Sequence, residues 1–248
     1  MQGEVLMMQH ALVIGAGGGI GKELVKQLCE LQPQMHVHSV SRTPVETTFN
    51  QQHHYVFDST DEGAIKSFIA DMSAQQIKFS QVICTTGVLH TSGDKILKPE
   101  KRLEDINPQQ LAEYFRVNTA VPAMWLKHLV NAVDKSRNSI VFFSARVGSI
   151  SENGLGGWYG YRASKAALNM IVKTASIEYK RRAPNSTLAC YHPGTVDTHL
   201  SKPFQANVKP GKLFTTEFTV SQLLKHMRAF DAEQSPYYID WDGKTIQY

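Results

Sequence analysis

Residues 10–14, His-Ala-Leu-Val-Ile, run directly into Gly15-Ala16-Gly17-Gly18-Gly19-Ile20-Gly21. The apolar residues after that turn fall at helical spacing, on Leu24, Val25, Leu28 and Leu31. An apolar strand, a glycine turn and an amphipathic helix, met in that order, form the opening of a nucleotide-binding βαβ unit. The glycines permit a tight turn and close approach of backbone to a pyrophosphate. The helix then offers its free N–H groups and the positive end of its dipole to the phosphates. The spacing is G-x-x-x-G-x-G, on Gly15, Gly19 and Gly21. The G-x-G-x-x-G pattern, begun on Gly15 and Gly17, would need its third glycine where Ile20 stands. Gly15, Gly18, Gly19, Ile20 and Gly21 are the expected phosphate-side residues.

The rest of the chain continues the alternation. A second strand over residues 35–40 ends in Ser41-Arg42-Thr43-Pro44. The residue after the second strand of such a unit faces the adenosine ribose, where a carboxylate bonds the 2′-hydroxyl and an arginine suits a 2′-phosphate. Arg42 stands there with no Asp or Glu, which points to NADP(H), with NAD(H) as the other possibility. Residues 55–58 are expected as a third strand. Asp58 at its end would bond the adenine amino group or belong to the N-cap region of a helix over residues 62–72. A fourth strand, residues 81–84, runs into Thr85-Thr86-Gly87, whose small residues let a ribose pass close by. Residues 91–108 are polar and expected to be loop.

A long helical pattern over residues 109–132 is interrupted by Asn118, an unfavourable mid-helix residue unless it is kept for a hydrogen bond. Pro122 would free one carbonyl on the preceding turn. Residues 139–144 form an almost wholly apolar fifth strand, as expected of a central parallel one. Residues 187–191 form a sixth, leading into His192-Pro193-Gly194-Thr195-Val196-Asp197-Thr198. His192 is expected as a strand-end residue. The polar segment of residues 199–216, with Pro203, Pro210 and Gly211, fits a mobile lid. A helix over 220–230 and a strand over 237–239 complete the chain. Strands alternating with helices imply an α/β, Rossmann-type, doubly wound parallel sheet of about seven strands, with ligands beyond the C-terminal ends of the strands.

With 248 residues, 42% hydrophobic and 19% charged, the whole chain, 1–248, is expected to be one domain with a substantial core. A net charge of +4 without a clustered basic run argues against nucleic acid, since Lys180-Arg181-Arg182 suits a solvated helix C-terminus. Three cysteines, Cys29, Cys84 and Cys190, lack a CxxC pair, so neither a disulfide framework nor a metal site is expected. Nothing resembles a signal peptide or a span of ~20 apolar residues, so the expected location is the cytoplasm and no membrane partner is expected.

The chemistry centres on Tyr161-Arg162-Ala163-Ser164-Lys165. On a helix Tyr161 and Lys165, four apart, share one face. A phenol with a pKa of about 10 is a poor catalyst near neutrality. An ammonium at ~4 Å in an effective dielectric of ~20 is worth roughly 4 kcal/mol to the phenolate, an upper bound because desolvation opposes it. That is enough to draw the phenol towards pH 7.

Five motifs in order resemble the short-chain dehydrogenase/reductase family: the Gly15 turn, Gly87 after the fourth strand, Val117-Asn118-Thr119, the Tyr161–Lys165 pair and Pro193-Gly194-Thr195-Val196-Asp197-Thr198. The wording around Gly148-Ser149-Ile150 and residues 156–169 is similar to the C-factor-like branch. The resemblance implies hydride transfer between a nicotinamide and the carbonyl or alcohol carbon of a small molecule. It implies that Tyr161 exchanges the oxygen's proton, that Lys165 lowers its pKa and bonds the nicotinamide ribose, and that Asn118 holds a relay water. It further implies that Thr86, Gly87, Pro193, Gly194, Val196 and Thr198 line the nicotinamide side, that Ser41-Arg42 favours NADP(H), and that a homodimer or homotetramer is a possible assembly.

Two departures stand out. The usual Asn-Ala-Gly is Thr85-Thr86-Gly87. The family's serine, three residues before Gly148, is Ala145, with Ser144 one earlier and Ser149 and Ser151 beyond. Ser144 is the candidate replacement, although adjacent strand residues face opposite sides unless the turn rotates it inward. The alternative function is a cofactor-binding signalling or scaffold protein with weakened catalysis.

Overall fold

The computed structural model describes residues 8–91 and 97–248; residues 1–7 and residues 92–96, part of the expected 91–108 loop, lie outside the described residues. The strands are β1 (Gln9–Ile14), β2 (Met35–Ser41), β3 (Gln52–Val56), β4 (Phe79–Cys84), β5 (Asn138–Phe143), β6 (Ser186–His192), the short β7 (Thr195–Val196) and β8 (Leu213–Phe214), and β9 (Tyr237–Asp240). Between them run α1 (Gly19–Leu31), α2 (Glu62–Ala74), α3 (Pro108–Phe115), α4 (Val121–Leu129), α5 (Tyr159–Arg182) and α6 (Thr216–Arg228).

Seven strands form one parallel sheet in the order β3-β2-β1-β4-β5-β6-β9. The side-chain period of two sorts each strand between two cores. Leu12 and Ile14 of β1 pack with Ile65, Phe68, Trp125, Leu168 and Val172 from α2, α4 and α5. Ala11 and Val13 pack on the opposite face with Leu24, Leu28, Val220 and Leu223 from α1 and α6. All six residues of β5 are buried, as its position demands. The winding reverses at β1, whose neighbours are β2 and β4. The crevice beyond that point is where ligands of open α/β sheets sit.

Two expectations needed correction. The third strand begins and ends earlier than residues 55–58, because the register with β2 sets it: Val37 pairs with Gln52 and Ser41 with Val56. Asp58 therefore lies beyond the strand. The helical pattern of residues 109–132 is two helices joined by a π turn, Arg116–Ala120, where Val121 N–H reaches back five residues to the Arg116 carbonyl. Pro122 has no N–H for the next position, so the ladder slips there. The 199–216 segment carries a 3₁₀ stretch, Lys202–Asn207, and β8, which pairs with β7 beside the end of β6.

Candidate active site

α5 starts at Tyr159 from a left-handed Trp158, φ 55°. Glu100 meets this start twice. Its carbonyl accepts from Trp158 N–H, and its Oε2 accepts from Gly160 N–H at 3.1 Å. Gly160 is bare of necessity, since a Cβ there would lie 2.5 Å from the Tyr114 ring. Tyr114 is held by its hydroxyl to the Leu89 carbonyl at 2.8 Å. Tyr161 stands edge-on between Tyr114 and Trp158, with centroid separations of 6.3 and 6.1 Å. Its side chain is buried, and its hydroxyl bonds no described residue.

One turn on, Lys165 is buried and donates from Nζ to the Phe143 carbonyl at 2.8 Å. The same Nζ is 5.9 Å from the centre of the Tyr161 ring. The two side chains do share a face. Gly87 leaves the space in front of them open: a Cβ would sit 3.3 Å from Lys165 Nζ and 3.4 Å from Asn118 Oδ1.

Asn118 lies in the π turn, fully buried. Its Nδ2 donates to the Val88 carbonyl at 2.9 Å and to Ser164 Oγ at 3.0 Å, and its Oδ1 accepts from Val88 N–H at 2.8 Å. Thr119 Oγ1 donates to the Ser164 carbonyl, and Ser164 Oγ to the Tyr161 carbonyl. The side chain of Asn118 is a clamp between the loop after β4 and the helix of Tyr161. Pro122, four residues on, has no N–H to give the Asn118 main-chain carbonyl.

Ser144 is placed otherwise than expected. Its hydroxyl donates to Asn169 Oδ1 at 2.6 Å, on the flank of α5 one turn beyond Lys165. Ala145 takes the opposite direction, as alternation along the strand end dictates. It joins Leu89, Leu97, Tyr114 and Tyr161, with Val88, Val147, Trp158 and Phe204 at the margin. The turn does not rotate Ser144 inward. Ser149 Oγ is engaged with Ser151 Oγ and Glu152 N–H in its own turn.

At the other end of the crevice, Gly15 has φ +89° and hangs from the Val40 carbonyl by its N–H. Thr86 stands beside it, with its N 3.1 Å from where a Gly15 Cβ would be. A Cβ on Gly21 would fall 2.3 Å from the Gly15 carbonyl oxygen, so helix and turn touch backbone to backbone. Gly18 is the N-cap of α1, Gly19 approaches the Thr198 methyl, and Ile20 packs on the α1 side of the sheet. Ser41 is buried and Arg42 exposed at the end of β2. Asp58 is exposed and accepts from Thr60 N–H; the N-cap of α2 is Asp61, not Asp58. Pro193 and Gly194 (φ +77°) follow β6, and Val196 and Thr198 follow them. Gly15, Ser41, Gly87, Ser144 and Pro193 thus lie at or just after the C-terminal ends of β1, β2, β4, β5 and β6, with the Ser144 hydroxyl turned to Asn169.

The family model for short chain dehydrogenases matches residues 9–209. The chain belongs to that family. It is 26% identical over 234 residues to a benzil reductase ((S)-benzoin forming) of Saccharomyces cerevisiae, covering 86% of this chain and 84% of the other. It is also 26% identical over 147 residues to C-signal of Myxococcus xanthus, covering 59% and 83%. Among solved structures, NADPH-bound carbonyl reductase from chicken fatty liver superposes with a TM-score of 0.82 at 21% identity, over 97% of this chain and 94% of that one. The fold of this short-chain dehydrogenase is thereby that of its relatives.

Its central pair is tuned chiefly by burial. Burial pushes the Tyr161 phenol well above its usual value of 10. Burial also draws the Lys165 ammonium down to about 8. Desolvation is the cause that acts on the phenol, and Lys165, whose Nζ is 5.9 Å from the ring centre and bonded to Phe143, does not offset it. His192 is held down at about 4 by burial and by Arg146, in keeping with a strand-end role. Sequence reasoning missed Glu100, Tyr114, Trp158, Phe204 and Asn169. Trp158 and Asn169 carried a signal, their place in the motif; Glu100, Tyr114 and Phe204 reach the site from distant segments. Among the described residues no group of His, Cys, Asp or Glu is placed to hold a metal ion, and no helix is long and apolar enough to cross a membrane.

Proposed function

We propose that this short-chain dehydrogenase is an NADP(H)-dependent reductase that interconverts a carbonyl compound and its alcohol. The observation that carries the reading is the Tyr161 hydroxyl: carried by a buried side chain, unbonded to any described residue, and one helical turn from the ammonium beside Gly87.

The residues fit the dinucleotide. Gly15, Gly18 and Gly19 present bare backbone at the start of α1, Gly17 has no Cβ to press on Ser41, and the exposed Arg42 guanidinium makes no ion pair with a described residue. Arg42 with Ser41 would hold a 2′-phosphate, Asp58 the adenine, and Lys165 the nicotinamide ribose, with Thr86, Gly87 and the Pro193–Thr198 stretch enclosing the nicotinamide end. NADP(H), when bound, supplies or accepts the hydride.

Tyr161 gives its proton to the substrate oxygen as the carbonyl becomes an alcohol. A phenol held high in pKa is fully protonated at neutral pH, which suits reduction. The resulting phenolate regains its proton along Lys165 and a water on the Asn118 main-chain carbonyl. Lys165, near 8, is poised for that exchange. Ala145, Val147, Leu89, Trp158 and Phe204 exclude water around the phenol and favour a substrate with apolar substituents, and residues 199–216 would close over it.

NADPH oxidation with a panel of ketones, diketones and aldehydes tests this. No turnover with any of them, or undiminished turnover in Tyr161→Phe, overturns it. One observation favours the second reading, a cofactor-binding scaffold with weakened catalysis: the position beside the phenol is Ala145, and Ser144 is committed to Asn169. In that case the protein binds NADPH but hardly oxidises it, and Ala145→Ser raises the rate.

A further inference from the structure

His54 has no part in the chemistry above, yet both of its ring nitrogens are engaged at the edge of the nucleotide crevice. It projects from β3 on the same face as Ser39 and Ser41 of β2. Its Nδ1 is 2.9 Å from Ser39 Oγ and its Nε2 is 3.2 Å from Ser41 Oγ. Ser41 Oγ is in turn 2.5 Å from the Thr43 carbonyl oxygen.

These distances set a direction. A carbonyl only accepts, so the one hydroxyl hydrogen of Ser41 goes to Thr43. Ser41 Oγ must then accept from His54, which places the imidazole hydrogen on Nε2. Nδ1 is left to accept from Ser39. The chain Ser39 to His54 to Ser41 to Thr43 closes the turn whose middle residue is Arg42. That turn borders the glycine loop: a Cβ on Gly17 would be 3.4 Å from Ser41 Cβ and 3.8 Å from Thr43 Oγ1. Ser39 and Ser41 are two residues apart on one strand face, about 7 Å. A flat ring with a donor and an acceptor on separate atoms bridges that gap; an aliphatic side chain of the same size does not.

We propose that His54 is a positioning residue for cofactor discrimination, holding the Ser41–Thr43 turn so that Arg42 meets the 2′-phosphate of NADP(H). The inference rests on the NADP(H) reading above. Without the imidazole, Ser41 loses its donor and the turn is free to carry Arg42 away, while the contacts that NAD(H) would share are untouched.

Calorimetric titration of NADP⁺ and NAD⁺ into wild type, His54→Leu and His54→Gln tests it. His54→Leu should lower NADP⁺ affinity about tenfold, the scale of one lost hydrogen bond to a turn, and leave NAD⁺ within about twofold. His54→Gln, whose amide again offers a donor and an acceptor, should recover most of the difference, which a purely structural role would not require. Equal losses for both cofactors, or no loss, overturn the proposal. If His54→Leu fails to fold, Ser39→Ala removes the hydroxyl that holds the ring through Nδ1 and should give the same split in smaller measure; an even loss there overturns it too. A wild type that binds NADP⁺ no better than NAD⁺ refutes Arg42 as the selector and this inference with it, whereas a wild type that prefers NADP⁺ with undisturbed variants refutes this inference alone.

Discussion

Lys165 Nζ donates to the Phe143 carbonyl at 2.8 Å, pinning helix α5 to the C-terminal end of the central strand β5. The bond orients an ammonium that burial disfavours. Its pKa falls from 10.5 to about 8, which at about 1.4 kcal/mol per unit amounts to about 3 kcal/mol against the charged form. The folded pKa is depressed, so the linked stability is present above about pH 10.5 and lost as pH falls towards 8. Lys165→Met removes the buried charge but leaves the Phe143 carbonyl unpaired, a cost of about 1–3 kcal/mol. The variant should be at least as stable as wild type to urea at pH 7, lose that advantage by pH 10.5, and turn over about a hundredfold or more slowly.

Tyr161→Phe removes a hydroxyl that bonds no described residue. Its unfolding midpoint should match that of wild type, and its NADPH affinity should stay within about twofold. Turnover should fall by about 10²- to 10⁴-fold, the range for loss of a general acid. A single-turnover measurement with saturating NADPH separates this from any effect on binding.

Ser144→Ala and Ala145→Ser report on opposite sides of one strand end. Ser144→Ala strands Asn169 Oδ1 without its 2.6 Å donor, so stability should drop by about 1–2 kcal/mol with kcat little changed. Ala145→Ser puts a hydroxyl among Leu89, Leu97, Tyr114 and Tyr161, and its effect should appear in kcat rather than in the unfolding midpoint. If Ser144→Ala instead abolishes turnover at full stability, Ser144 is the oxygen-orienting residue after all.

The lower end of the sheet should make the protein acid-sensitive. His10 and His38 share a hydrogen bond of 3.1 Å, as do His36 and His53, and Tyr55 closes the ladder against His38. Burial first, then neighbouring imidazoles, lowers His10, His53 and, most of all, His38, to about 3. Each neutral imidazole thus contributes stability that is present above about pH 6.5 and lost as pH falls. For His38 alone the loss between pH 7.5 and 5 is about 2 kcal/mol. Urea midpoints at the two pH values should show it, and His38→Leu should reduce the difference.

Much of this was legible before any coordinates. The glycine turn, the strand ends that line the crevice and the Tyr161–Lys165 spacing are local patterns, and the periods of strand and helix carry them into three dimensions unaided. Even the break at Asn118 showed as an awkward residue near a proline. The start of β3 did not, because pairing with β2 rather than residue preference fixed it.

The sequence by itself determined a doubly wound sheet, the edge on which its site lies, and a phenol and an ammonium on one helix face. Only the tertiary structure decided that Ala145 rather than Ser144 faces the phenol, that Glu100 caps α5, and that burial raises Tyr161 instead of Lys165 lowering it. Spacing along a chain fixes which side chains share a face. Which distant atoms meet them, and how much water is left, depends on packing between segments tens of residues apart.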